Sequence, residues 1–232
     1  PILLERSYKL SGILNGIDTK SYDPETDKDI FYNFSAKSPE NKAKDKAALQ
    51  ELFGLPVNAD TPLIGIVSRL VAHKGFDLIK RVMWDLVAST DMQLVLLGSG
   101  DWEYESFFKE LAAAFPGKVG VRLGFIPDMA RKIYAGSDMF LMPSKSEPCG
   151  LSQMVALRYG SIPIVRETGG LKDTITDSGD GQGNGFTFKS YDAYDMLDAI
   201  HRALAAYYDK KHWSTLVTRA LKCDNSWGRS AR

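Results

Sequence analysis

Apolar positions along this chain alternate between two spacings, and the alternation sorts the sequence into elements. Residues 63–67 form a short continuous apolar run. Phe76, Ile79, Val82, Met83, Leu86 and Val87 then recur at the three- and four-residue spacing of one helix face. The same succession predicts a strand over 93–97, a helix with Phe107, Phe108, Leu111 and Ala112 on one face, a strand over 119–125 and a short helix over 128–135. Further strands are expected over 139–142, 162–165 and 185–188, with helices over 151–159, 193–209 and 211–221. Ahead of residue 62 the pattern changes. Residues 19–47 are polar, broken by Asp23-Pro24-Glu25 and Ser38-Pro39, and read as irregular surface chain entering a helix near 42–53. No internal repeat or low-complexity segment is visible.

Short, uniformly apolar strands between amphipathic helices are buried on both faces, as in parallel sheets. The expected fold class is α/β: a Rossmann-like, mainly parallel sheet with helices on both faces. Ligands of such sheets bind in loops beyond the carboxyl ends of the strands, so those loops are where function is sought. The 232 residues are 44% hydrophobic and 25% charged, which suits one large globular domain. Twenty-nine Lys and Arg balance 29 Asp and Glu, so neither nucleic acid nor an anionic membrane is an expected partner. A bound anion would need a local cluster of donors. Cys149 and Cys223 cannot build a disulfide framework, and no cysteine or histidine spacing points to a metal. A reduced, cytoplasmic setting follows as the expectation. Glu5 and Arg6 interrupt the apolar start Pro1-Ile2-Leu3-Leu4, which argues against a signal peptide, and the initial Pro reads as the start of an excised fragment.

Three strand-to-helix loops carry candidate chemistry. Ser68-Arg69-Leu70-Val71-Ala72-His73-Lys74-Gly75 brings Arg69 and Lys74 to a helix start, either as a diphosphate cradle or as a solvated basic loop. Ser146-Glu147-Pro148-Cys149-Gly150-Leu151-Ser152-Gln153 sets Glu147 at a strand end, with backbone donors from Gly150 to Gln153. The alternative is a helix capped by Glu147 and Ser152, with Cys149 as a small filler. Arg166-Glu167-Thr168-Gly169-Gly170-Leu171 offers N–H groups from Thr168 to Leu171, or only a tight turn. Other signals are discounted. The glycine-rich 179–185 stretch follows no strand and reads as a flexible turn. Gly98-Ser99-Gly100 has Glu103 where a dinucleotide fingerprint needs its third glycine. Asp27-Lys28-Asp29 reads as a solvated acidic run rather than a metal site.

Taken together, Ser68-Arg69-Leu70 with Lys74-Gly75, Pro143-Ser144 with Glu147-Pro148-Cys149-Gly150-Leu151, and Thr168-Gly169-Gly170-Leu171 resemble the bacterial glycogen synthase and plant starch synthase family. Leu14-Asn15-Gly16-Ile17-Asp18 and Asp23-Pro24-Glu25-Thr26-Asp27 resemble its inter-domain segment. The resemblance implies the C-terminal half of a two-domain glycosyltransferase-B fold, with 1–18 as connecting segment and 19–232 as nucleotide-sugar-binding domain. It implies transfer of glucose from ADP-glucose to the non-reducing end of an α-1,4-glucan with retention, and neither metal nor other cofactor. By position, Arg69 and Lys74 would hold the diphosphate and Glu147 the glucose hydroxyls, as the catalytic set. Cys149, Gly150, Leu151 and Ser152, with Thr168, Gly169 and Gly170, would supply donors to sugar and phosphate. Phe125 would stack on adenine, or else be a core residue at a strand end; Asn15, next to Gly16, would face the sugar. Several departures from the pattern stand out. Val155 occupies the place of a second glutamate found in related transferases. The Lys-x-Gly-Gly-Leu loop and the active-site histidine of the family's N-terminal half have no counterpart among His73, His201 and His212. The glucan acceptor is therefore expected to bind mainly through that other half, and the chain alone is expected to be nearly inactive. Alternative readings are a UDP- or GDP-sugar transferase of the same fold, or a non-catalytic nucleotide- or glucan-binding module.

Overall fold

The structure, a computed structural model, describes residues 2–9, 12–38, 40–179 and 181–231. Pro1, the Pro39 break and Asp180 in the glycine-rich stretch lie outside the described residues. In chain order the elements are α1 (Ile2–Glu5), α2 (Asn41–Leu52), β1 (Leu63–Leu70), α3 (Phe76–Ser89), β2 (Gln93–Gly100) and α4 (Trp102–Ala114). Next come β3 (Val119–Leu123), α5 (Pro127–Gly136), β4 (Met139–Met142), α6 (Ser152–Arg158) and β5 (Ile162–Arg166). The remainder is α7 (Gly169–Thr174), β6 (Phe186–Phe188), α8 (Ala193–Tyr208), α9 (Lys210–Leu221) and α10 (Trp227–Ser230).

The strands pair in the order β3-β2-β1-β4-β5-β6, and every neighbouring pair is parallel. The order reverses direction between β1 and β4, which opens a crevice at their carboxyl ends. Strand parity divides the core. Ile64, Ile66, Leu94 and Leu96 point to the face covered by α3, α4 and α8, where Phe76, Met83, Phe108 and Ile200 are buried. Leu63, Val95 and Leu97 point to the other face, against Leu49 and Phe53 from α2 and Ile133 from α5.

Several elements differ from the sequence expectation. β1 and β2 both run three residues further, because Gly98 and Gly100 let the two strands continue side by side. A Cβ at Gly98 would stand 2.0 Å from the Ser68 carbonyl oxygen, and one at Gly100 2.3 Å from that of Leu70. Gly98-Ser99-Gly100 is thus strand, with Arg69 opposite Ser99. β3 stops at Leu123, where Gly124 takes φ 137°. The 169–174 segment is helical rather than a simple turn.

The polar 19–47 segment is not surface chain throughout. Ile30 and Phe34 are buried against Tyr134, Phe140 and Tyr159. Asp27, read as part of a solvated acidic run, is buried: its carboxylate accepts from the Tyr159 hydroxyl and pairs with Arg131 Nη1 at 2.9 Å. Its role is to fasten the segment to α5 and α6. Within the glycine-rich stretch read as a flexible turn, Gly181 and Gly183 are fastened too: Arg219 donates to the carbonyls of Gly183 at 2.5 Å and Gly181 at 2.8 Å.

Candidate functional site

The β1–α3 connection ends in a 3-10 turn over Ala72–Lys74, stopped by Gly75 in the left-handed conformation at φ 83°. A Cβ at Gly75 would stand 2.1 Å from the Pro143 carbonyl oxygen, so only glycine lets this turn press against the end of β4. The Lys145 N–H donates to the His73 carbonyl at 2.9 Å and locks the two loops together. The consequence is an ion pair across 73 positions of sequence: Lys74 Nζ meets Glu147 Oε2 at 2.5 Å, and the Ser144 hydroxyl donates to the same oxygen at 3.2 Å. Both charged side chains are mostly buried. Arg69, by contrast, is exposed and has no carboxylate partner among the described residues.

Arg69 borders two adjoining hollows at the crevice. One, of about 180 Å³, is lined by Arg69, Lys74, Ser144 and Ser152. The other, of about 190 Å³, is an apolar slot walled by Val67, Leu97, Phe125, Ile126 and Ala130. Phe125 is 90% exposed, so the alternative of a core phenylalanine at a strand end falls. The site therefore grades from an apolar slot, past an unpaired guanidinium, to a lysine–glutamate pair.

The Glu147–Gln153 loop and the start of α7 meet backbone to backbone. Cβ atoms at Gly169 and Gly170 would stand 2.1 Å from the Glu147 and 1.8 Å from the Cys149 carbonyl oxygens. This contact and the local turn together use donors that the sequence left open. Gly170 N–H goes to the Glu147 carbonyl, Thr168 N–H to Arg166 and Leu171 N–H to Thr168. The glycine pair thus lets α7 brace the Glu147 loop. Gly150, at φ 65°, turns the chain into α6. The capping alternative is not what the structure contains, because Leu151 occupies the N-cap position and no side chain caps α6. The Tyr134 phenol, buried under α6, is pushed up to about 12 by burial.

Gln153, read from sequence only as a backbone donor, contributes its side chain to the site. It is fully buried, and its Nε2 donates to the carbonyls of Cys149 at 3.2 Å and Gly150 at 2.9 Å and to Thr174 Oγ1 at 3.1 Å. A lone amide directly ahead of the apolar run Met154-Val155-Ala156-Leu157 was its one visible signal. Asn15 is not brought to the Lys74–Glu147 cleft. It lines a separate groove with Met154, Asp173 and Asn225. Gly16 sits under Trp227, where a Cβ would be 2.3 Å from the backbone nitrogen. Among the described residues no three His, Cys, Asp or Glu side chains gather as a metal site, and no helix is long and apolar enough to cross a membrane.

An open parallel sheet with two cations and a carboxylate gathered at its switch point is a doubly wound ligand-binding domain. The model for the glycosyl transferases group 1 family matches residues 50–215, and the chain belongs to that family. Over its whole length it is 51% identical to the glycogen synthase of Bacillus licheniformis, covering 48% of that protein. It is 53% identical to the glycogen synthase of Clostridium acetobutylicum, with 99% of the chain aligned to 49% of the relative. Among solved structures, the catalytic domain of starch synthase IV from Arabidopsis thaliana, bound to ADP and acarbose, superposes with a TM-score of 0.92 at 40% identity. That match covers 99% of this chain and 48% of the other. The chain spans about half the length of the curated relatives it matches.

Proposed function

We propose that this chain is the donor-binding half of a retaining glucosyltransferase that moves glucose from ADP-glucose to the non-reducing end of an α-1,4-glucan. The observation that carries the reading is the graded site at the switch point. Its parts match a nucleotide sugar in order: a flat base in the Phe125 slot, a diphosphate at Arg69 and Lys74, and sugar hydroxyls at Glu147. The naming of the relatives as glycogen synthases, and the ADP bound to the starch synthase, support adenine as the base and glucose as the cargo. The acceptor glucan binds chiefly through the other half of the protein, and the setting is cytoplasmic.

When the glycosidic bond breaks, negative charge gathers on the departing diphosphate. Cations fixed before that moment stabilise it without reorganising, and loss of one such group costs about 2.7–4 kcal/mol of barrier at comparable sites. Arg69 and Lys74 fill this role, and no metal or other cofactor enters. Lys74 is held ready by Glu147, so diphosphate binding exchanges one anionic partner for another or adds to it.

The test is calorimetric titration of the chain with ADP and, in parallel, UDP. Saturable binding that favours ADP is expected, unchanged by a chelator and weakened at least about tenfold by Arg69→Ala or Lys74→Ala. A preference for UDP would move the chain to another donor class. Equal affinity in parent and variants would remove the diphosphate assignment.

A further inference from the structure

Arg166 and Tyr191 lie outside the site just described, yet they join both of its loops. The Arg166 guanidinium spreads over three backbone carbonyls: Nε donates to Ser144 at 3.0 Å, Nη2 to Lys145 at 2.5 Å and Nη1 to Lys189 at 3.3 Å. Ser144 and Lys145 lead directly into Glu147, and Ser144 supplies the hydroxyl that donates to the glutamate. The other face of the junction is the Tyr191 ring. Arg166 Cζ lies 5.6 Å from its centroid and Lys145 Nζ 5.4 Å. The Tyr191 hydroxyl donates to Asp77, in the first turn of α3, and lies 3.4 Å from the Ala72 carbonyl in the turn that ends at Lys74. Its phenol is held well above the ordinary value, first by burial and then by Asp77, so it remains a donor at any working pH. One ring and one guanidinium thus brace the Lys74 turn from one side and the Glu147 loop from the other.

We infer that Arg166 and Tyr191 are positioning residues that set the Lys74–Glu147 pair for the nucleotide sugar. Neither reaches the cleft. Arg166 acts on the Glu147 loop through its carbonyl contacts, and Tyr191 acts on the Lys74 turn through its hydroxyl. A guanidinium is required because it offers several donors in one rigid plane, whereas an ammonium is a single compact charge. The inference deepens the donor-site reading and depends on it only for the affinity measurements.

Two readouts on the intact chain test it. Amide hydrogen exchange measures the clamp with no ligand present. Arg166→Gln is expected to speed exchange at residues 145–150 at least about tenfold while β1 and β2 keep their protection. Tyr191→Phe, which retains the ring, is expected to open residues 72–75 together with the Lys145 amide that bonds His73, and to spare 146–150. ADP titration measures the consequence. Arg166→Gln is expected to lose about tenfold in affinity, and Arg166→Lys to lose as much, because the lysine restores charge without the planar donors. In a Lys74→Met background Arg166→Gln is expected to cost little more, since coupled residues are not additive. Unchanged exchange in both loops, rescue by Arg166→Lys, or full additivity with Lys74→Met would each overturn the inference. Absence of ADP binding in the parent would sink the donor-site reading alone, with the exchange result still deciding the clamp.

Discussion

A phenylalanine left 90% exposed beside a glycine at φ 137° adds little burial to the folded chain and leaves its ring open to a ligand. Phe125 faces a slot whose other walls are Val67, Leu97 and Ile126, with Arg69 at the mouth. A base sliding into that slot would stack on the ring, a contact worth about 1–3 kcal/mol when the ring is removed. Phe125→Ala is therefore expected to weaken ADP binding roughly tenfold or more while leaving the melting temperature within about 1 °C of the parent. Calorimetry and a thermal melt on the same preparation check both halves. A variant that melts early with its affinity intact would make Phe125 a packing residue after all. From sequence the residue could be read either way, since a strand-end phenylalanine in the core and an exposed stacking ring look alike. The break at Gly124, a matter of backbone conformation, decides between them.

Helix α2 shows where an element's sequence pattern misleads. Its run Asn41-Lys42-Ala43-Lys44-Asp45-Lys46 reads as solvated, yet Lys42, Asp45, Lys46 and Gln50 are buried. Lys42 Nζ donates to the carbonyls of Ala135 at 2.6 Å and Ser137 at 2.9 Å, closing the C-terminal end of α5. Lys46 pairs with Asp138 at 2.8 Å, and Gln50 bonds Gln93 at 2.7 Å. These partners lie far away in sequence, so periodicity could not reveal them. The parallel strands and α3 were legible because their burial is written in apolar residues with local spacing. Asp45 gives the network a measurable signature. Its Oδ1 accepts from the Phe31 N–H at 3.0 Å and the Tyr32 N–H at 3.3 Å, while its buried Oδ2 has no partner among the described residues. Burial pushes this carboxyl up to about 6 from 3.8, against the opposing N–H bonds. The folded chain thus retains a proton, between about pH 4 and pH 6, that the unfolded chain has released. This group's contribution is complete below the unfolded value and is lost as pH rises through the folded one. Asp45→Asn keeps the accepting oxygen and removes the titration. Its melting temperature is expected to match the parent near pH 4 and to exceed it by at least about 2 °C at pH 7.5. A difference independent of pH would show that Asp45 is not the titrating group.

For the whole molecule the charges balance, and Arg69 and Lys74 sit together at the carboxyl edge of the sheet. Trp102, Phe125, Ile126 and Leu151 are exposed in the loops and helix starts that follow β2, β3 and β4, and Phe125 and Ile126 wall the apolar slot. Asn15 lines a separate groove, and the neighbouring Ile17 N–H donates to the Asn225 carbonyl at 2.8 Å. A domain with donor groups on one open edge can hold a nucleotide sugar, but transfer needs an acceptor presented across that edge with water excluded. The chain alone is therefore expected to bind ADP and to incorporate glucose into glycogen no faster than a blank. Joined to the half of the Bacillus licheniformis relative that it does not match, it is expected to gain incorporation from labelled ADP-glucose by several orders of magnitude, the scale of a site assembled by proximity. The same fusion carrying Lys74→Ala should lose about a hundredfold or more of that gain. Two outcomes would separate the remaining readings. Activity with UDP-glucose in place of ADP-glucose would keep the transferase and change its donor. ADP binding without any gain on fusion would make the domain a nucleotide-binding module, in which the Lys74–Glu147 pair serves recognition and not transfer.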